Sequence, residues 1–473
     1  MTDPHPTRAF WTAATFALAC APLASPAQCY NGADLSYANA VEDAGGLFRD
    51  VDGADVDPFD YFVTRGARVV RLRLWHTPEN VESACGTPIT SGNLADVVRA
   101  ARRARDAGAD VMLALHYSDY FADPGKQVRP AAWRGLAGAT LNDSIYDYTS
   151  RVLEQLRGAG ATPAIVAIGN ETDNGFVDAT DATDGFEWPA DAGKFNAGLR
   201  AVDSFNARFS ESCRKALHLT VRYARFGVEE FAANGVTDYD LLGLSYYPLF
   251  DPETTVAEVG DLVRDLRAAT ARDVMLFETG FAWTRSGFSD DYDNFLSSNG
   301  RVVDQPTSRE GQRDFLLALT TAVTDAGGLG IVYWEPAWVT SDMCDRWGRG
   351  SSYESATFFD FENEHRALPA FEFLACGLVG LRQNNARDAG PSVRVFPNPY
   401  VGGRVYVATT AVPTAWRLVD EVGRELARTA PGAPPTRMLT LPEPLADGGA
   451  YFLELSFAGG RKATVRVIAA ARE

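Results

Sequence analysis

The sequence predicts a (β/α)8 barrel followed by a small β-sandwich, and three observations carry that prediction. Strand-like runs alternate with helix-like runs from about residue 30 to about residue 378. Eight such pairs suit a barrel of this length. Past about residue 380 the texture changes to short alternating strands broken by Gly and Pro.

The strand candidates, in order, are "GADLSYA", "RVVRLRLW", "DVMLALHYS", "PAIVAIGNE", "LHLTVRY", "LLGLSYYP", "DVMLFETG" and "GLGIVYWEP". Between them, "NLADVVRAARRARDAGAD" and "TVAEVGDLVRDLRAAT" carry apolar residues at three- and four-residue spacing, the helical period. "SREGQRDFLLALTTAVTDAGG" adds Ser308 as an N-cap and Gly327 near its end, and "LPAFEFLACG" reads as a closing helix. Strand parity puts Val274, Leu276 and Glu278 on one face, and likewise Ile165, Ala167, Gly169 and Glu171, and Gly330, Val332 and Trp334. Mixed large and small residues on a shared face suit the layered filling of a barrel.

The chain has 473 residues, with 62 acidic against 44 basic and a net charge of −18. That balance argues against a nucleic-acid partner, whose phosphates the surface would repel. Arg8, the apolar run "AFWTAATFALACAPLA" and the small residues of "SPAQ" make up a secretory signal peptide over 1–27, cut after Ala27. The apolar run is too short for a comfortable membrane span. Five of the six Cys remain after that cut, so one or two disulfides form in an oxidising compartment and one thiol is left over. The pairing is open. The barrel then spans 28–380, a polar linker 381–391, and a β-sandwich 392–473.

Two carboxylates stand out. Glu278 sits in the apolar run "MLFETGFAW", and a lone acid in such a run is paired or used. "AIGNE" ends the fourth strand with Asn170 and Glu171. Barrel enzymes place their chemistry at the C-terminal ends of the strands, so both acids face one cleft. Two carboxyl groups flanking a glycosidic bond are the standard means of glycoside hydrolysis, and the retaining variant needs the shorter separation. The alternative for either acid is a buried ion pair with Arg.

The surroundings suit sugar chemistry. "RLRLW" puts Arg71, Arg73 and Trp75 on one face, and Arg73, nearer the strand end, is the residue expected to hold Glu278 ionised. His116 is expected to donate to sugar hydroxyls, since no second His lies near it to share a metal. Of Tyr246 and Tyr247, either hydroxyl can orient the nucleophile, and Tyr246 is the one assigned to the site. Trp334 offers a stacking face for a pyranose.

The ordered blocks "RLRLW", "HYSDYFADPGKQVRPAAW", "IGNETDNGF", "SYYP", "ETGFAW" and "YWEPAW" resemble glycoside hydrolase family 53, the endo-β-1,4-galactanases of clan A. The resemblance covers about residues 30 to 378. It implies Glu171 as acid/base, Glu278 as nucleophile, and Asn170 beside the acid/base. Asp119, within the "HYSD" block, joins the substrate-binding residues. Tyr120 and Phe121 replace a Trp common in the family, and "DNGFVDATDATDGFEWP" delays its Trp-Pro to Trp188 and Pro189. Some members bind calcium near the last strands. "SDDYDN", with Asp290, Asp291, Asp293 and Asn294, offers oxygen ligands without EF-hand spacing, and a solvated acidic loop is the preferred reading.

"VFPNP" (Val395 to Pro399) and "GGAYFLELSFAGGRKATVRVI" resemble the type A sorting domain of the type IX secretion system. The expectation is therefore a monomeric retaining endo-β-1,4-galactanase, secreted or at the cell surface, acting on type I arabinogalactan without an organic cofactor. Its expected partners are β-1,4-galactan and the type IX machinery. The rivals are another clan-A β-glycanase, acting on mannan or β-glucan, and a non-catalytic galactan-binding surface protein.

Overall fold

The computed structural model describes residues 29–180, 185–286, 288–290, 294–296 and 298–375, then the segments 393–396, 404–409, 413–420, 424–429, 438–441, 445, 450–457 and 462–468. The expected signal peptide and linker lie outside the described residues. The chain divides into two compact units, Met1–Cys376 and Gly377–Glu473.

In the first unit, eight parallel strands make one sheet: β1 (Gly32–Asp34), β2 (Val69–Leu74), β3 (Asp110–Leu115), β4 (Ile165–Ile168), β5 (Arg214–Thr220), β6 (Leu241–Tyr246), β7 (Asp273–Thr279) and β8 (Val332–Tyr333). The order β7-β6-β5-β4-β3-β2-β1-β8 runs in sequence around the sheet. A parallel bridge between Leu276 and Ile331, with the Trp334 N–H donating to the Thr279 carbonyl at 3.0 Å, brings β7 against β8 and closes the barrel. All eight predicted strands are present.

Helices α1 (Ala38–Asp43) and α2 (Pro58–Thr64) follow β1. Then α3 (Leu94–Ala107), α4 (Gly138–Gly158), α5 (Ala190–Phe209), α6 (Ala224–Ala233), α7 (Val256–Thr270) and α8 (Arg309–Asp325) each follow one strand. Their ends are set by local chemistry. Asn93 caps α3 by accepting from the Asp96 N–H, and Gly108 ends that helix in the left-handed region. Thr255 and Glu258 form a capping box on α7. Ser308 caps α8 by accepting from the Gly311 N–H, as the sequence predicts. The expected closing helix is instead a 3₁₀ run, Pro369–Ala375, whose Phe371 and Phe373 pack on Phe62 and Phe358.

Val69, Met112, Ile165, Ala167, Ala216, Leu241, Met275, Phe277 and Val332 fill the barrel interior. This corrects the face assigned to β7. Met275 and Phe277 point inward, while Val274 and Leu276 pack toward the helices. Leu244 pairs with Leu276 but Ser245 pairs with Glu278, so Phe277 is an extra residue on β7. The bulge turns Glu278 inward after Phe277 has already faced inward. Gly243 makes this possible, because a Cβ there would lie 2.2 Å from the Phe277 ring.

A disulfide joins Cys85 to Cys344, Cys29 is also disulfide-bonded, and Cys213 is a buried free thiol. A small hairpin, β9 (Phe359–Asp360) with β10 (Arg366–Ala367), follows the barrel strands. The second unit holds two antiparallel sheets, β11 (Val393–Phe396), β12 (Arg404–Thr409) and β15 (Met438–Thr440), and β14 (Glu425–Arg428), β13 (Ala415–Asp420), β16 (Ala450–Ser456) and β17 (Lys462–Ile468). Val407 and Leu439 of the first join Leu418, Leu453 and Leu455 of the second in one apolar cluster.

Candidate active site

The C-terminal ends of the barrel strands surround a cleft of about 420 Å³. Its lining includes Asn170 and Glu171 beyond β4, Ser245 on β6, Glu278 on β7 and Trp334 beyond β8.

Glu278 is 6% exposed and has two partners. The fully buried Arg71 guanidinium lies 2.6 Å from its Oε1, and the Tyr247 hydroxyl donates to its Oε2 at 2.9 Å. Arg71 also pairs with Asp34 and donates to Asn170 Oδ1 at 2.7 Å. Burial pushes the Glu278 carboxyl above its ordinary value, and the Arg71 charge and the Tyr247 hydroxyl pull it back.

Glu171 sits in different surroundings. It follows Gly169, which has φ +89°, and itself adopts φ +46°, an uncommon conformation for a residue with a side chain. Burial, then the Glu278 charge, push its carboxyl well above the usual carboxylate range. The two acids thus separate: Glu278 has a cation and a hydroxyl donor, and Glu171 has a negative neighbour. Both carboxyl groups are raised, Glu171 further than Glu278, so of the two Glu171 holds a proton more readily.

Asn170, His116 and Trp334 join these acids in the cleft. The Asn170 amide nitrogen donates to the Ala122 carbonyl at 2.8 Å, so its Oδ1 faces Arg71 and His218. His218 Nδ1 therefore carries a hydrogen toward Asn170, 3.0 Å away, and its Nε2 meets the Ser245 hydroxyl at 2.9 Å. His116 Nδ1 accepts from the Ala122 N–H at 3.1 Å, which places the hydrogen of the neutral ring on Nε2. Burial and then Arg71 and Arg73 lower its pKa well below the ordinary value, so the ring stays neutral. That Nε2 has no protein partner, leaving a donor for a sugar hydroxyl.

Three expected site residues lie elsewhere. Arg73 does not reach Glu278. It bonds Glu335 at 2.7 Å and is enclosed by Tyr37, Trp75 and Phe121, each ring 4.5 or 4.6 Å from its guanidinium carbon. Barrel strands are tilted and staggered, so nearness to a strand's end does not measure depth in the cleft. Tyr246 turns outward and donates to the Thr254 carbonyl at 2.7 Å. Leu241, Gly243 and Ser245 form the inward row of β6, and Tyr247 continues it. Asp119 braces loops instead, accepting from Asn80 at 3.0 Å and from the Ala131 N–H at 2.9 Å.

Of the two pairs the sequence offers, Arg71 rather than Arg73 and Tyr247 rather than Tyr246 are the partners of Glu278, while His218, Ser245, Glu335 and Trp347 are not singled out by the sequence. Strand parity on β6 was the available signal for Tyr247. The acidic loop falls partly outside the described residues: Asp290 accepts from Ser351 N–H and Asn294 from Ser355 N–H, whereas 291–293 are not described. Among the described residues no cluster of His, Cys, Asp and Glu suits a metal ion.

A closed (β/α)8 barrel with two carboxyl groups in unlike surroundings, beyond β4 and on β7, in an aromatic-walled cleft defines a glycoside hydrolase. The model of glycosyl hydrolase family 53 matches residues 30–374, and the chain belongs to that family. The chain is 37% identical over 361 residues to the arabinogalactan endo-beta-1,4-galactanase of Cellvibrio japonicus (strain Ueda107), covering 76% of this chain and 93% of that protein. It is 32% identical over 317 residues to the endo-beta-1,4-galactanase of Bacillus subtilis (strain 168), covering 65% and 70%. Among solved structures, the family 53 catalytic domain of Ignisphaera aggregans superposes with a TM-score of 0.66 at 28% identity, covering 74% of this chain and 97% of that one.

Proposed function

We propose that the chain is an endo-β-1,4-galactanase that works with retention of configuration. The observation that carries the proposal is the unequal carboxyl pair. Glu278, held by Arg71 and Tyr247, attacks the anomeric carbon while the glycosidic C–O bond breaks. Glu171, protonated beforehand, gives its proton to the departing oxygen. Water then attacks the glycosyl ester, Glu171 takes the water proton, and the Glu278 carboxylate leaves. The printed activities of the Cellvibrio japonicus and Bacillus subtilis relatives support galactan as substrate. Export and delivery to the cell surface by a sorting tail form the second part of the proposal, supported by the Arg8-led apolar segment and the β-rich second unit.

The experiment combines two variants with the stereochemistry. In Glu171→Ala, kcat/KM should fall far less on an aryl β-galactobioside with a good leaving group than on galactan. Azide should restore turnover and give the β-azide. Glu278→Ala should turn over neither substrate. Proton NMR of the first product of the unaltered enzyme should show the β-anomer. An initial α-anomer, or more than a few per cent of activity in Glu278→Ala, refutes the mechanism. Faster cleavage of mannan or β-glucan than of galactan refutes the substrate.

A further inference from the structure

The segment that carries Glu171 is tied down from two sides. Toward β5, the Thr172 N–H donates to the His218 carbonyl at 2.9 Å. Asp173 accepts from the Thr220 N–H at 2.9 Å and from its hydroxyl at 2.6 Å. Toward β3, one side chain makes the main-chain contacts. Gln127, 2% exposed, points its amide nitrogen at three main-chain carbonyls: Asp123 at 3.0 Å, Asn170 at 2.9 Å and Glu171 at 3.1 Å.

The loop before Gln127 fixes where that amide sits. Asp123 and Lys126 exchange two main-chain hydrogen bonds of 2.9 Å, and the Asp123 carboxylate caps the turn by accepting from the Gly125 N–H at 2.8 Å. The Gln127 carbonyl accepts from the Asp178 N–H at 2.6 Å, anchoring its other side. A left-handed non-glycine residue persists only where its surroundings over-determine it. Two of the three acceptors of the Gln127 amide are the carbonyls flanking the Glu171 φ/ψ pair.

We propose that Gln127 is a positioning residue for the acid/base carboxyl group: it holds the left-handed backbone at Glu171 and so aims the carboxyl group at the leaving oxygen. The Gln NH₂ group supplies two hydrogens, without a charge, to these carbonyls on one side. Glu would present oxygen to three carbonyl oxygens. Met would fill the space and hold nothing. The inference rests on the reading of Glu171 as the acid/base.

The test separates aim from fold. Gln127→Met is compared with the unaltered enzyme and with Glu171→Ala by kcat/KM, which reports glycosylation, on two aryl β-galactobiosides. One carries a good leaving group (2,4-dinitrophenyl) and the other a poor one (phenyl). Positioned acid catalysis is worth about 10²–10⁴-fold, so a misaimed acid should lose about tenfold or more on the phenyl substrate. On the dinitrophenyl substrate, which needs little protonation, the loss should stay within about threefold. Equal losses on both substrates would mark Gln127 as part of the fold alone and overturn the proposal, as would no loss on either. If Gln127→Met is insoluble, Gln127→Asn, which keeps the amide but shortens its reach, is put through the same comparison. Failure of both to fold also overturns it. If Glu171→Ala itself fails to discriminate between the two substrates, the acid/base reading falls. If it discriminates and the Gln127 variants do not, only the present inference falls.

Discussion

Replacing Tyr247 by Phe removes one oxygen and leaves a ring of the same shape against Phe250. The lost bond is the 2.9 Å donation to Glu278 Oε2, an ionised acceptor in the proposed mechanism. Hydrogen bonds to charged groups contribute about 1.5–3 kcal/mol. At about 1.4 kcal/mol per factor of ten, kcat/KM on galactan should fall roughly tenfold to 150-fold. The pH profile gives a second reading with a definite sign. Glu278 acts as the carboxylate, and the Tyr247 hydroxyl favours that form. Without it the carboxyl holds its proton to higher pH, so the acidic limb of kcat/KM moves upward, by about one unit for each 1.36 kcal/mol lost from the ground-state ion. Arg71 remains, so the group still ionises. The assay is reducing-sugar release from galactan between pH 4 and 9, with the thermal midpoint as a check on folding. An acidic limb that stays in place or moves downward, or a loss confined to KM, refutes the role given to Tyr247.

Two further outcomes follow from the structure. Arg73→Met leaves the fully buried Glu335 without its cation and should cost about 3–5 kcal/mol of stability by denaturant titration above pH 8, where Glu335 is ionised beside Arg73. Burial already raises Glu335 from 4.5 to about 8 in spite of Arg73. A raised folded-state pKa means stability is full below 4.5 and declines in both proteins alike as pH rises to about 8; without Arg73 the carboxyl holds its proton to higher pH, so the variant keeps declining past 8 and its deficit against the unaltered protein deepens there. A loss that shrinks with rising pH would contradict the pairing. A chain ending at residue 381 should keep its specific activity on soluble galactan, because the barrel unit has its own core, and in the native host should stay in the periplasm. Loss of most activity in the purified shorter chain would assign the tail to substrate binding, and normal surface delivery would remove the sorting role.

The regular part of the fold was legible because it is periodic. Each of the eight strand runs became a strand, and Asn93, Thr255 and Ser308 cap helices as their residue types suggest. Both acids and Asn170 were legible because polar residues ending apolar strands are rare. What escaped was set by irregularity and by depth. β7 carries an extra residue at Phe277, and in a run that is apolar on both faces no alternation marks a bulge. Arg71 and Arg73 share a face, type and strand, so pattern alone could not tell which reaches Glu278 and which reaches Glu335. Tyr246 and Tyr247 differ by one residue, which in a strand is the difference between outside and inside.

In the proposed mechanism one acid serves twice, and the charges of the site support that reading. Arg71 faces two carboxylates, Asp34 and Glu278. Arg73, the other buried guanidinium nearby, is committed to Glu335. An ionised Glu171 would add a further negative charge beside Glu278 with neither Arg71 nor Arg73 paired to it, so its proton is retained while Glu278 is a carboxylate. Once Glu278 becomes a neutral glycosyl ester, that repulsion disappears. On this proposal Glu171 gives its proton to the departing oxygen at the moment when carrying the negative charge becomes least costly, and it is left as the base that the second step needs.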